Sequence, residues 1–176
     1  EVRDDRGNPV ALADPRRAGD EGLLDLTKVL NEGAAVLLLY AYGPGNSRAS
    51  SGGESRVIRL GYGPDEIYSR SAQRSLQYWK QLFAQHEHWS NLFQKTGVLW
   101  LAREVDPYCE AILKTFQQLD AKYERLEHNE LIRRFPQFKP GPMALAIHEP
   151  EAGALMARRA VQAVVAQAQA SGVDYL

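Results

Sequence analysis

One cysteine, Cys109, stands in 176 residues, so the chain has no internal disulfide and no thiolate metal cluster; a reducing compartment is expected. No charge of one sign prevails: 21 Lys and Arg face 22 Asp and Glu, for a formal net charge of -1. That balance gives no global field to draw the chain onto nucleic acid or an anionic membrane. The basic residues are scattered, with no stripe alternating with aromatics, and nucleic-acid binding is not expected. No apolar run approaches the length that spans a bilayer. The opening Glu1-Val2-Arg3-Asp4-Asp5-Arg6 is charged and has no apolar segment, so no signal peptide is expected and a cytoplasmic location is. No serine has a Gly-x-Ser-x-Gly context, which removes the nucleophile elbow of the hydrolases. His86 and His88 lie two apart, His128 and His148 stand alone, and none sits in a carboxylate–histidine cluster, so zinc is not expected.

What the chain does have is a short apolar run, Ala34-Ala35-Val36-Leu37-Leu38-Leu39, that empties through Tyr42-Gly43-Pro44-Gly45-Asn46-Ser47-Arg48 into Ser50-Ser51-Gly52-Gly53-Glu54-Ser55-Arg56-Val57-Ile58-Arg59. A buried strand followed by small residues brings backbone N–H groups and hydroxyls to a sheet edge, where α/β proteins hold phosphates and cofactors. Arg56 and Arg59 follow at once and suit an anion. The same stretch also reads as an ordinary surface loop with a basic edge, its arginines paired with Glu54 or Asp65 for little gain. Gly43-Pro44-Gly45 and Gly61-Tyr62-Gly63 each lack the third glycine of a dinucleotide fingerprint.

Residues 1–27 read as an irregular extension, apart from a helical spacing that starts near Leu23 and stops at Gly33. The spacing of Ala72, Leu76, Trp79 and Phe83 predicts a long amphipathic helix from about Asp65 to Gln85. A strand is expected over Val98–Ala102, and Asp106-Pro107 reads as an N-cap with proline at the first helical position. The helix it opens carries Ile112, Leu113, Phe116 and Leu119 inward. Cys109 sits just inside that start, where the dipole would lower a thiol pKa, or it is a half-buried structural thiol. A short helix is expected up to Pro136, a strand over Met143–His148, a helix from about Ala154 to Ala170 behind Gly153, and a strand restarting at Val173. Helices alternating with strands argue an α/β class with an inserted sheet subdomain.

The run Val36-Leu37-Leu38-Leu39, the Asn46-Ser47-Arg48 loop and Ser50 through Arg59 resemble the sarcosine oxidase group of FAD-dependent amine oxidoreductases, within the wider D-amino-acid oxidase superfamily. The resemblance continues through Tyr62-Gly63, Tyr78-Trp79, Thr96-Gly97-Val98-Leu99 and Glu149-Pro150-Glu151-Ala152-Gly153, covering about residues 28–176. It implies an α/β fold: a Rossmann-like FAD-binding domain, incomplete here, carried by 28–92 and 149–176, with an inserted α+β sheet substrate domain over 93–148. It implies oxidation of the C–N bond of a sarcosine-like secondary amine or N-methyl amino acid, with FAD as cofactor and dioxygen reduced to hydrogen peroxide.

Carried over by position, Ser50, Ser51, Gly52 and Gly53 pass close to the cofactor, Ser55 and Arg56 lie against the flavin, and Arg59 meets the substrate carboxylate. Arg59 and Arg56 are thus the expected catalytic residues. The family's opening Gly-x-Gly-x-x-Gly is not found upstream of residue 28, Tyr40 stands where the ribose-binding acid is expected, and Gly52 stands where many relatives have a histidine. The chain also stops near the middle of the family's length. It reads as a partial chain, expected to purify without FAD and to self-associate through uncovered apolar surface. A cofactor-free α/β binding or regulatory module, and a phosphate- or nucleotide-binding protein using the Gly/Ser loop, stand as alternative readings.

Overall fold

The computed structural model describes residues 37–39 and 41–175. The expected helix before Gly33, residues 34–36 of the first strand, and Tyr40 lie outside these. The chain forms two compact units, one comprising the residues up to Gly52 together with those from Arg158 on, the other Gly53–Ala157. No helix among the described residues is long and apolar enough to cross a membrane.

In the first unit, β1 (Leu37–Leu38) pairs in parallel with β8 (Asp174–Tyr175), Leu37 opposite Asp174. A run apolar throughout suits a strand covered on both faces, yet Leu37 is 51% and Leu39 67% exposed. β1 has one hydrogen-bonded neighbour among the described residues, the strand β8. Helix α4 (Ala157–Ala170) packs Ala160 inward and leads to β8 through the buried Val173.

The second unit holds the remaining elements. Strand β2 (Arg56–Ile58), helix α1 (Glu66–Gln85), a 3-10 stretch (Glu87–Leu92), β3 (Phe93–Gln94) and β4 (Val98–Ala102) come first. Then follow α2 (Pro107–Gln118), β5 (Glu124–Leu126), α3 (His128–Arg134), β6 (Leu145–Glu149) and β7 (Gly153–Leu155). Two antiparallel sheets result, in the orders β2-β7-β3 and β4-β6-β5. The long helix and its stripe form as the sequence predicts, with Leu76 and Phe83 buried. The expected helix behind Gly153 is displaced, because Gly153-Ala154-Leu155 is claimed from both edges by β2 and β3, and the helix starts only at Ala157.

β6 is the central strand, and all five of its residues are buried. Alternation sends Leu145, Ile147 and Glu149 to one face and Ala146 and His148 to the other. Leu145 and Ile147 join Leu60, Leu76, Ile112 and Phe116 in the main core, while Ala146 packs with Leu126 and Leu131.

Asp106 caps α2 as its sequence suggests: its Oδ1 accepts from the Cys109 N–H at 2.8 Å, which holds the carboxyl below its ordinary range. The same arrangement favours the second of the two readings of Cys109, the half-buried thiol. Burial, then the Asp106 carboxylate beside it, raise the thiol pKa. Cys109 is the half-buried structural thiol. It is expected to react with iodoacetamide at pH 8 more slowly than free cysteine, and Asp106→Asn is expected to speed it. Equal rates in the two proteins would show that the carboxylate has no part.

Glu151 clasps the second unit from outside, accepting from Lys80 Nζ of α1 and Lys95 Nζ of the β3–β4 turn, each at 2.6 Å. Lys80 first, then Lys95, lower its pKa to about 2. A carboxylate whose folded pKa is depressed adds stability that is present above its ordinary value of 4.5 and is lost as pH falls toward about 2. The groups are largely solvated, so Glu151→Gln is expected to cost less than about 1 kcal/mol at pH 7. Thermal melts should show that difference shrinking in high salt and below pH 4.5. A loss unaffected by salt or pH would mean that Glu151 acts by packing.

Candidate functional site

The Gly/Ser loop of the first unit is closed largely by its own groups. Asn46 Oδ1 accepts from Arg48 N at 2.9 Å, Asn46 Nδ2 donates to the Gly43 carbonyl at 2.9 Å, Ala49 N donates to Asn46 O and Gly52 N to Ala49 O. Arg158 then holds the Gly52 carbonyl through Nε at 3.0 Å and Nη2 at 2.6 Å. A Cβ on Gly52 would run into the Asn46 carbonyl, so the glycine there is required by the loop itself. Gly45 has a φ of +67° and lies flat on Arg158, leaving no room for a side chain. Ser50 is exposed and Ser51 half-buried.

In the second unit, Gly53 is covered by the Arg56 guanidinium, whose Nη1 donates to the Ser55 carbonyl at 2.7 Å; Ser55 and Arg56 are exposed. Arg56 and Arg59 are three positions apart on an extended segment and so project to opposite sides. Their surroundings differ accordingly.

Arg59 is half-buried between two aromatic rings, its Cζ 4.6 Å from the Tyr62 centroid and 4.6 Å from the Trp100 centroid. Such stacking holds a planar guanidinium while leaving its N–H edge open to a bidentate acceptor. Arg59 Nη1 donates to the Gly61 carbonyl, and among the described residues no carboxylate is paired with it.

The turn that carries Tyr62 is fixed from two sides. Gly63 has a φ of +61°, a Cβ there would strike the Tyr108 ring, and Thr115 Oγ1 of α2 donates to the Gly63 carbonyl at 3.2 Å. Glu149, at the end of β6 and 2% exposed, accepts from Leu60 N at 2.6 Å, Gly61 N at 3.2 Å and Trp100 Nε1 at 2.6 Å. Tyr108 adds its ring 6.4 Å from Trp100.

The sequence reading assigned Arg59 a role but gave none to Tyr62, Trp100 or Glu149. The period-two alternation of β6, continued one step past Ile147, was the signal that places Glu149 on the core face.

A second cluster lies on the opposite face of β6. His148, read from the sequence as standing alone, has Nδ1 at 2.8 Å from Glu124 Oε2, and Arg134 Nη2 reaches the same oxygen at 2.7 Å. The hydrogen bond with His148, then that from Arg134, lower the Glu124 pKa. A cavity of about 210 Å³ is lined by Leu60, Leu76, Lys80, Phe116, Glu149 and Glu151, among others. Neither Arg59 nor Trp100 is in its wall, so it is separate from the guanidinium.

A protein-family model described as DAO, FAD dependent oxidoreductase, matches residues 24–176. N-methyl-L-tryptophan oxidase of Yersinia pestis (strain Pestoides F) is 28% identical over 144 residues, covering 82% of this chain and 38% of the relative. Among solved structures, NikD, an unusual amino acid oxidase essential for nikkomycin biosynthesis, superposes with a TM-score of 0.61 at 24% identity, over 86% of this chain and 39% of that one. L-proline dehydrogenase from P. horikoshii superposes with a TM-score of 0.66 at 19% identity, over 86% and 39%. These likenesses show the fold. The chain spans 38% of the length of the curated relatives it matches.

Proposed function

The chain belongs to the FAD dependent oxidoreductase family, and from that premise we propose that it serves in oxidising the C–N bond of a secondary amine bearing a carboxylate. An N-methyl amino acid is the substrate class, and dioxygen is the acceptor that leaves as hydrogen peroxide. The observation that carries this reading is Arg59: a half-buried guanidinium stacked between Tyr62 and Trp100 with no carboxylate partner among the described residues. A permanently charged, planar donor held in this way suits an incoming carboxylate.

The family's cofactor is FAD. By position in the family, Ser50 and Ser51 of the first unit and, separately, Ser55 and Arg56 of the second would serve it. Gly52 and Gly53 are accounted for by Asn46 and Arg56. Bound FAD supplies the two-electron acceptor for the amine's hydride. Arg59 orients the substrate through its carboxylate, and the rings of Tyr62 and Trp100 exclude water from the guanidinium faces. By position in the family, segments 28–92 and 149–176 serve the cofactor and 93–148 the substrate.

The test is dioxygen-dependent peroxide formation by an oxidase carrying this chain, with N-methyl-L-tryptophan, L-tryptophan and N-methyltryptamine. Fastest turnover on the N-methyl amino acid is expected. Equal turnover of the amine lacking a carboxylate would remove the role of Arg59. The second reading, a cofactor-free binding module, draws on the self-closed Gly52–Gly53 segment. A stoichiometric flavin spectrum retained by the chain through gel filtration would dismiss it.

A further inference from the structure

Glu149 has no place in the reading above, yet it is the one carboxylate residue that is buried among the described residues. A carboxylate removed from water is costly unless its oxygens are filled with donors. Here no cation is paired with it among the described residues, and its three donors are Leu60 N, Gly61 N and Trp100 Nε1. All three adjoin Arg59. The Leu60 N–H belongs to the peptide that Arg59 itself begins, Gly61 supplies the carbonyl that Arg59 Nη1 donates to, and Trp100 supplies one of the two stacking rings.

We propose that Glu149 is a positioning residue for the substrate carboxylate, acting through the 60–61 turn and the Trp100 ring to hold the Arg59 guanidinium in register. This rests on the reading of Arg59 as the carboxylate's partner. Two physical effects work together. The backbone hydrogen bonds fix the peptide that sets the origin and the carbonyl stop of the Arg59 side chain. The indole N–H, donating to an anion, pushes electron density into the ring and deepens its attraction for a guanidinium. Substrate enters a site whose arginine is already ordered, so less freedom is lost on binding.

Glu149→Gln keeps the length of the side chain but turns an N–H₂ group toward N–H donors. In an oxidase carrying this chain it is expected to raise KM for N-methyl-L-tryptophan about ten-fold while kcat stays within about two-fold, with N-methyltryptamine unaffected. In an Arg59→Ala background, Glu149→Gln is expected to add nothing further. Calorimetric titration with N-methyl-L-tryptophan should show the same loss in Kd.

An equal loss on both substrates, or a full additive loss in the Arg59→Ala background, would make Glu149 a structural residue and overturn the proposal. Arg59→Ala by itself affecting both substrates equally would instead remove the premise, and the proposal with it. Should Glu149→Gln not fold, Trp100→Phe decides: it deletes the donated N–H while keeping an aromatic face. A raised KM confined to the carboxylated substrate supports the proposal, and an unchanged KM overturns it.

Discussion

Arg59→Ala, made in an oxidase carrying this chain, is expected to lower kcat/KM for N-methyl-L-tryptophan by about ten- to a hundred-fold, mainly through KM. Removing the guanidinium leaves the substrate carboxylate without a charge-assisted bidentate partner, a loss of roughly 1.5–3 kcal/mol. The same change leaves Tyr62 and Trp100 with a gap between their rings but removes no ion pair of the protein's own, because Arg59 has none among the described residues. Folding is therefore expected to suffer little, and the effect should follow the carboxylate. N-methyltryptamine, which lacks it, should be turned over at an unchanged rate. Arg56→Ala should behave differently, changing the flavin spectrum or the reduction rate whether or not the substrate is carboxylated. Equal slowing of both amines by Arg59→Ala would assign Arg59 to the fold and not to the substrate.

Phe116→Ala is expected to be the most damaging single truncation for stability. Phe116 is 1% exposed, sits with Ile112 on the inward face of α2, and packs its ring 5.4 Å from that of Tyr123. It joins Leu76 of α1 to Leu145 and Ile147 of the central strand in one cluster. Truncating a buried phenylalanine costs about 3–5 kcal/mol, the lost transfer free energy together with the cavity that remains. A stability of 5–15 kcal/mol is typical of whole domains, so chemical denaturation should show a large fall in midpoint. Because the 210 Å³ cavity already borders Phe116, partial collapse into it would lower the figure. A loss below about 1 kcal/mol would show that the core around α2 is loosely packed.

Elements whose identity is set by their own residues were legible. The stripe Ala72, Leu76, Trp79, Phe83 gives α1, and Asp106-Pro107 gives the start of α2. The apolar run ending in Ile147 gives most of β6. Elements set by their neighbours were not. β7 is three residues long and lies next to an alanine-rich helical pattern; only its pairing with β2 and β3 makes it a strand. β5 carries Glu124 and Arg125 in three residues, and it is the edge position beside β6 that admits both charges.

The site divides in the same way. The family's motif singles out Arg59, while its half-burial beside Tyr62 and Trp100 belongs to the fold. Trp100, Tyr62 and Glu149 come to Arg59 through sheet register and a turn, and separations of that kind carry no local pattern. For Cys109 the sequence offered both a helix start and a half-buried thiol, and burial together with the capping carboxylate favours the second.

The hold of Arg158 on the Gly52 carbonyl has a consequence for modularity. Those two residues flank the whole stretch from Gly53 to Ala157, and their bonding brings its entrance and its exit to one doorway. A segment whose ends already meet can be lengthened, exchanged or excised while the flanking chain keeps its path, because the cost of closing the gap falls on two residues that touch in any case. A graft that joins residues 52 and 158 is therefore expected to leave the described part of the flanking unit folded, which the retained pairing of β1 with β8 would report.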